Sequence, residues 1–515
     1  MSVKDVKRGI ISSYGILTAD IIVGILFTPF LIRSLGQSEY GVYALMGAFV
    51  ASIAIIDFGF GNAITRYISQ YRAEGKKEKE ANFLGICFTF YFLIAIVTLI
   101  LGFIFLYLFD YFYQNSFSLE EIKIAKSIFI IMILNISMSF FIGAFNSYLQ
   151  AYEKYPLLNL ITLFKLLLRV IILIILLSLG YKAIAVVIVD TILNFIMGVS
   201  FLVICVKKLG FRIKFSTFDF TFFKELTGYS SFVFLSNIAD MLFWRLGLLL
   251  LGVISNTSSI AIYAVGITLI SYFQYISGVI NGKLFPMITR MVVNKSTPYE
   301  LTIFISRVAR FQLIIVSCVL LGFQLFGKEF ITLWVGIEYI DSWSVAQILM
   351  ISMILQILQY PCVLILRAKK IDAFRTIMQL LFMLIGGGIG VLLYFNHDIV
   401  GMAMGLAIAN VLLNWILLNI YYIKVLNFQL IYFLKEISKM IPSISVVTIL
   451  GFLISFLPHL SWSLFIGKCV LFVLAFTMII WKLGLNNSER RLILDQLTLF
   501  LPIKKENMKT IKKQI

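Results

Sequence analysis

The sequence predicts an all-α, polytopic membrane protein, and three observations carry that prediction. The chain of 515 residues is 61% hydrophobic and 13% charged, with a mean hydropathy of +1.00, whereas soluble domains are about 45–50% apolar and about 25% charged. Apolar runs recur from one end to the other, each long enough for a bilayer core of about 30 Å, which needs roughly 20 residues at about 1.5 Å rise. The 43 lysines and arginines gather in alternate gaps between those runs.

Fourteen helices are predicted, at about 10–32, 41–63, 83–109, 127–149, 157–179, 184–206, 228–251, 260–282, 304–327, 343–366, 375–395, 399–423, 440–457 and 462–481. The first follows Lys4, Lys7 and Arg8 but is too long for a signal-peptide core, and no small-x-small cleavage site succeeds it. It is read as a retained anchor. The gap after the second helix holds five basic residues (Arg66 to Lys79), that after the fourth only Lys154, and those after the sixth and eighth five each. Four follow the tenth helix, three the twelfth, and eight fill the tail. The intervening gaps hold only Arg33, Lys123, Lys126, Lys182, Lys328 and Lys468. The positive-inside rule therefore places both termini in the cytoplasm. The tail after Trp481, amphipathic around Arg490 and Arg491, is read as lying on the anionic inner leaflet.

The same reading excludes several functions. The segment DFGFGNAITRY, Asp57 to Tyr67, has a Gly-x-Gly and an Asp-Phe-Gly, but no strand precedes it and no Gly-Lys-Ser/Thr follows. It is the cytoplasmic end of a membrane helix, with glycines for close approach or a bend, rather than a phosphate loop or a kinase element. Net charge +18 is absorbed by topology and implies no nucleic-acid partner. His397 and His459 fall in outer turns, and the five cysteines scatter through apolar runs. No metal or disulfide spacing emerges. The longest outer connections, about 110–126 and 328–342, are too short for the catalytic loop of a membrane polymerase or ligase. The expectation is a protein that is not an enzyme and has no cofactor.

Internal repetition gives the domain organisation. At an offset of 220 residues Asp20 meets Asp240, Val42-Tyr43-Ala44 meets Ile262-Tyr263-Ala264, and Asp190-Thr-Ile-Leu-Asn194 meets Asn410-Val-Leu-Leu-Asn414. A duplicated six-helix unit enters the membrane twice in the same direction, a parallel repeat of the kind transporters use around a substrate site. The predicted division is an N-terminal half (1–206), a cytoplasmic linker (207–227), a C-terminal half (228–424), two appended helices (425–481) and a basic tail (482–515).

The stretches SLGQSEYGVYALMGAF, DFGFGNAITRYISQYRAEGKKEKE, YLQAYEKYPLLNLITL, IAIYAVG and FPMITR resemble the Wzx-type polysaccharide flippases, of the superfamily that holds MATE drug antiporters and lipid II flippases. The resemblance covers helices 1 to 10; beyond them only hydropathy agrees. It implies alternating-access transfer of undecaprenyl-pyrophosphate-linked oligosaccharide repeat units across a bacterial cytoplasmic membrane, for surface polysaccharide such as O-antigen. The partners it implies are the lipid-linked oligosaccharide, membrane lipids, and a polysaccharide polymerase with chain-length machinery.

Such a substrate needs cations at membrane depth, and charges there cost about 2.5–3.5 kcal/mol on insertion scales, so each is a functional candidate. Lys165 and Arg169 lie one turn apart on the fifth helix, and Arg245 lies on the seventh. These three, with Asn194 and Asn414 for sugar hydroxyls, are the substrate-binding candidates. Asp20, Asp190 and Asp240 are the candidates for proton or sodium coupling, the role that MATE-like relatives give to a first-helix carboxylate. Structural pairing of these charges with one another, and helix packing for the asparagines, is the competing reading for every one of them. A cation-coupled MATE-type antiporter and a membrane glycan polymerase or ligase remain the alternative functions.

Overall fold

The computed structural model describes residues 3–57, 59–114, 116–214, 220–457, 461–491 and 494, with side chains throughout except at 3–11, 14, 220–233 and 276–283. Among the described residues every regular element is helical. In chain order these are α1 (Val3–Ile53), α2 (Phe60–Ala73), α3 (Lys77–Tyr113), α4 (Leu119–Ala151), α5 (Tyr155–Ser178), α6 (Ala183–Leu209), α7 (Phe220–Ile254) and α8 (Thr257–Val293). There follow α9 (Pro298–Trp334), α10 (Ser342–Leu358), α11 (Tyr360–Ala368), α12 (Ala373–Val411), α13 (Leu418–Leu426), α14 (Leu430–Ser438), α15 (Ile441–Ser455) and α16 (Trp462–Ile479).

Twelve helical segments are long and apolar enough to span a membrane, two of them with 59 and 54 residues, at Gly15–Ala73 and Ala373–Leu426. At about 1.5 Å per residue each is over 80 Å long, against a core of about 30 Å, so each contains two passes. The backbone breaks where a second pass requires it. Gly36 has φ 75°, ψ 169° inside α1, and His397 and Asp398 leave helical geometry inside α12, Asp398 at φ 48°. Splitting both segments gives the fourteen predicted passes.

Local departures from the predicted boundaries have physical causes. The second pass does not stop near 63. It tightens into a 3-10 turn at Ala54–Asp57, bends at Gly59 (φ 70°), and continues as α2. A Cβ on Gly61 would lie 2.9 Å from Ser147 Oγ, so the DFGFG segment combines a bend with a close helix contact. The tenth pass is interrupted at Gln359, with Pro361 in the first turn of α11, where a missing amide hydrogen is tolerated. The predicted inner loop after the twelfth pass contains α14, a short helix that buries Phe433 and leaves Ile431 85% exposed. His397 sits at a break, as an outer turn requires; His459 and most of the tail lie outside the described residues.

Contacts group the chain into two compact units. The first comprises Met1–Tyr272, Trp334–Leu349 and Asp372–Leu413; the second comprises Phe273–Leu333, Met350–Ile371 and Asn414–Ile515. Lipid is as apolar as a helix surface, so helices associate through small residues and buried polar contacts rather than through hydrophobic burial. In the first unit Gly102 sits on Ile133, Gly198 on Ile142 and Gly386 on Ala409. An aromatic cluster of Phe60, Tyr91, Phe140 and Tyr148 joins α2, α3 and α4, with Phe60 stacked on Phe90 at 4.0 Å. In the second unit Gly451 meets Leu325 and Phe472, and α9 is tied to distant segments by Arg310. Its guanidinium binds Glu489 at 2.6 and 3.0 Å, the Gly484 carbonyl at 2.9 Å and the Glu436 carbonyl at 2.7 Å.

Candidate functional site

The site is built on α5, whose start is set by Pro156 in the first turn and whose 24 residues rise about 36 Å. Lys165 and Arg169, four residues apart, share one face at about 15 and 21 Å from that start. The same face borders a cavity of about 700 Å³ lined by Ser13, Ile16, Leu17 and Asp20 of α1 and by Thr162, Lys165, Leu166 and Arg169 of α5. Lys154 lies just before the start of α5, the end that the positive-inside reading of the sequence assigns to the cytoplasm.

The two cations have different partners. Arg169 makes a bidentate ion pair with Asp190 of α6, at 2.5 Å from Nε to Oδ1 and 3.0 Å from Nη2 to Oδ2. Its guanidinium also lies 5.9 Å from the centre of the Phe27 ring, within cation–π range, and Tyr43 interacts with the same pair. Lys165 donates instead to a neutral group, the Oδ1 of Asn194 on α6. Asn194 in turn donates to Asn135 Oδ1 on α4 at 2.7 Å. Among the described residues no carboxylate lies in ion-pair contact with Lys165, although Asp190 acts on it electrostatically. Asp20 is exposed on the opposite wall of the cavity.

The structure thus brings together five of the eight predicted residues: Lys165, Arg169, Asp190, Asn194 and Asp20. Arg169 lines the cavity and forms with Asp190 the structural pair that was the competing reading for these charges. Asn135 was not anticipated. Its signal was available, since it is a polar residue deep in an apolar run on α4.

The remaining three lie elsewhere. Asp240 on α7 accepts from Gln379 Nε2 at 3.0 Å; Gln379 Oε1 accepts from Arg375 at 2.8 Å, and Arg375 pairs with Asp372 at 2.6 and 3.1 Å. A carboxylate predicted to exchange ions is thereby wired through an amide to a buried guanidinium. Arg245 is half-buried on α7 and is not among the cavity-lining residues. Asn414, 8% exposed, belongs to the second unit, within the π-helical turn Leu412–Leu417, where its carbonyl accepts from Asn419. No cluster of three or more histidine, cysteine or acidic side chains suited to a metal occurs among the described residues.

Long apolar helices along the chain, two of which line a cavity with Lys165, Arg169 and Asp20, describe a multi-pass membrane protein. The chain belongs to the polysaccharide biosynthesis protein family, whose pattern matches residues 6–292. Several solved structures of membrane proteins share its fold. The lipid II flippase MurJ in an inward closed conformation aligns with a TM-score of 0.72 at 15% identity, over 91% of this chain and 98% of that one. An inward-facing multidrug resistance MATE family transporter of the MOP superfamily aligns at 0.60 and 13%, over 79% and 98%. The eukaryotic MATE transporter AtDTX14 aligns at 0.55 and 15%, over 85% and 99%. No curated protein matches the sequence.

Proposed function

We propose that the protein is a flippase that moves undecaprenyl-pyrophosphate-linked oligosaccharide repeat units from the inner to the outer leaflet of a bacterial cytoplasmic membrane, by alternating access, for surface polysaccharide. The observation that carries this reading is Lys165: a cation at membrane depth, in a cavity of about 700 Å³, whose hydrogen-bond partner is the neutral amide of Asn194. In a chain of the polysaccharide biosynthesis family, an anionic lipid-linked glycan is the ligand that makes such a costly charge useful. The diphosphate engages Lys165, the bidentate Arg169–Asp190 pair fixes the wall beside it, and Asn194 offers hydrogen bonds to sugar hydroxyls. A polysaccharide polymerase with chain-length machinery is the partner that would consume the product.

Asp20 supplies coupling. Lys165 and Arg169 are balanced by Asp190 and Asp20, so a diphosphate entering this group is favoured when Asp20 takes up a proton or sodium ion, and the two bindings assist each other reciprocally. An exposed carboxylate in the cavity is also what a cation-coupled antiporter would use, which makes that the second reading.

The test places purified protein in liposomes with a labelled polyprenyl-diphosphate oligosaccharide and follows the leaflet that holds the label. Lys165→Ala abolishes translocation at equal insertion, and Asp20→Asn removes its dependence on an imposed proton or sodium gradient. Translocation unchanged by Lys165→Ala would sink the site assignment. Drug or metabolite exchange with no lipid movement would establish the antiporter.

A further inference from the structure

The far side of the first unit converges on one carboxylate. Glu121 lies in the first turn of α4 and closes a capping box with Ser118, whose amide and hydroxyl donate to Oε2 at 2.8 and 2.9 Å. A capping box needs only that oxygen. The other, Oε1, accepts Ser38 Oγ at 2.5 Å, two residues past the break at Gly36, and Thr257 Oγ1 at 2.6 Å, at the start of α8.

Ser38 and Thr257 belong to corresponding legs of the internal repeat, those carrying Val42-Tyr43-Ala44 and Ile262-Tyr263-Ala264. These legs touch at backbone level beside the carboxylate: a Cβ on Gly41 would collide with the Thr257 carbonyl. Nearby bonds fix the same region. Gln37 Nε2 donates to the Glu338 carbonyl at 3.4 Å, Glu39 binds Lys182 at 3.0 Å, and Ser116 Oγ donates to the Val253 carbonyl at 2.7 Å. The cap holds the Glu121 rotamer on α4 before either hydroxyl arrives, so little side-chain entropy is lost when the legs close on it. Both closing bonds are charge-assisted, the stronger kind.

We propose that Glu121 is the outer latch of this protein, a carboxylate that keeps the second leg of α1 against α8 while the cavity stands on the inner half. Releasing the Ser38 and Thr257 hydroxyls is the step that lets the outer side open. Alternating access, and hence the purpose of a latch, rests on the flippase reading; the latch itself is tested without substrate.

In proteoliposomes, a membrane-impermeant maleimide is added outside to protein carrying Leu17→Cys in the cavity wall, and labelling is counted above the same protein without that cysteine. Glu121→Ala raises the outside labelling rate about tenfold, the scale of losing charge-assisted hydrogen bonds; Thr257→Val, which removes one donor and leaves the cap intact, raises it less. A short cleavable reagent joining Ser38→Cys to Thr257→Cys returns labelling to background until it is cleaved. Unchanged labelling in inserted Glu121→Ala and Thr257→Val protein overturns the latch, as does undiminished labelling of the joined protein. A labelling shift in protein that moves no lipid diphosphate would uphold the latch and reject the flippase.

Discussion

Arg169 and Asp190 show what a charge inside a membrane needs. Each is about a quarter exposed, at 23% and 26%, and each would be an uncompensated ion without the other. Removing one partner of a buried pair is far costlier than replacing both, because the survivor keeps its desolvation penalty. Arg169→Met or Asp190→Leu alone is therefore expected to cost about 1–3 kcal/mol, with the partial exposure lowering the figure for a fully buried pair. The double variant should recover much of that loss, as read from thermal midpoints in detergent. A double variant less stable than either single would show that the pair is not the unit. Lys165, Arg169 and Asp20 were legible because a charge inside an apolar run is anomalous whatever surrounds it. That Asp190 ion-pairs with Arg169, while Lys165 hydrogen-bonds to Asn194, depends on the rotation of α5 against α6, which no spacing along one helix encodes. Arg310 was hidden differently. It counts among the inner basic residues, yet with Glu489 it is a buried pair in which both side chains are 5% exposed.

At the level of elements, the two legs of α12 pack on glycine. A Cβ on Gly405 would meet the Gly390 backbone nitrogen, one on Gly401 the Leu393 carbonyl, and one on Gly386 would come within 2.6 Å of Ala409 Cβ, whereas Gly388 faces open space. Backbone cannot yield as a flexible side chain can, so overpacking here forces the legs apart. Gly405→Ala should cost about 1–3 kcal/mol and lower the yield of folded protein, while Gly388→Ala leaves the thermal midpoint within error. Equal effects from the two would mean that the legs do not depend on this contact. The glycine run was readable as a packing face from composition. Which glycine bears the contact was not, and neither were the 3-10 turn before Gly59 or the interruption at Gln359, where tertiary packing overrides an otherwise continuous apolar run.

For the whole molecule, the two backbone breaks decide orientation. If Gly15–Ala73 crossed the membrane once, Arg66 to Lys79 would stand outside, and if Ala373–Leu426 did, Lys435 and Lys439 would, in each case against the positive-inside rule. Parity and charge agree only when both segments turn back, at Gly36 and at His397–Asp398. The exposed residues Lys76 and His397 therefore belong to opposite faces. In sealed inside-in vesicles or intact cells, an impermeant thiol reagent should label His397→Cys from outside and Lys76→Cys only after permeabilisation. Labelling of both from the same side would mean that one of the long segments crosses once, and reversed labelling would invert the whole assignment, placing the Lys165 cavity on the outer half and the Glu121 latch on the inner face.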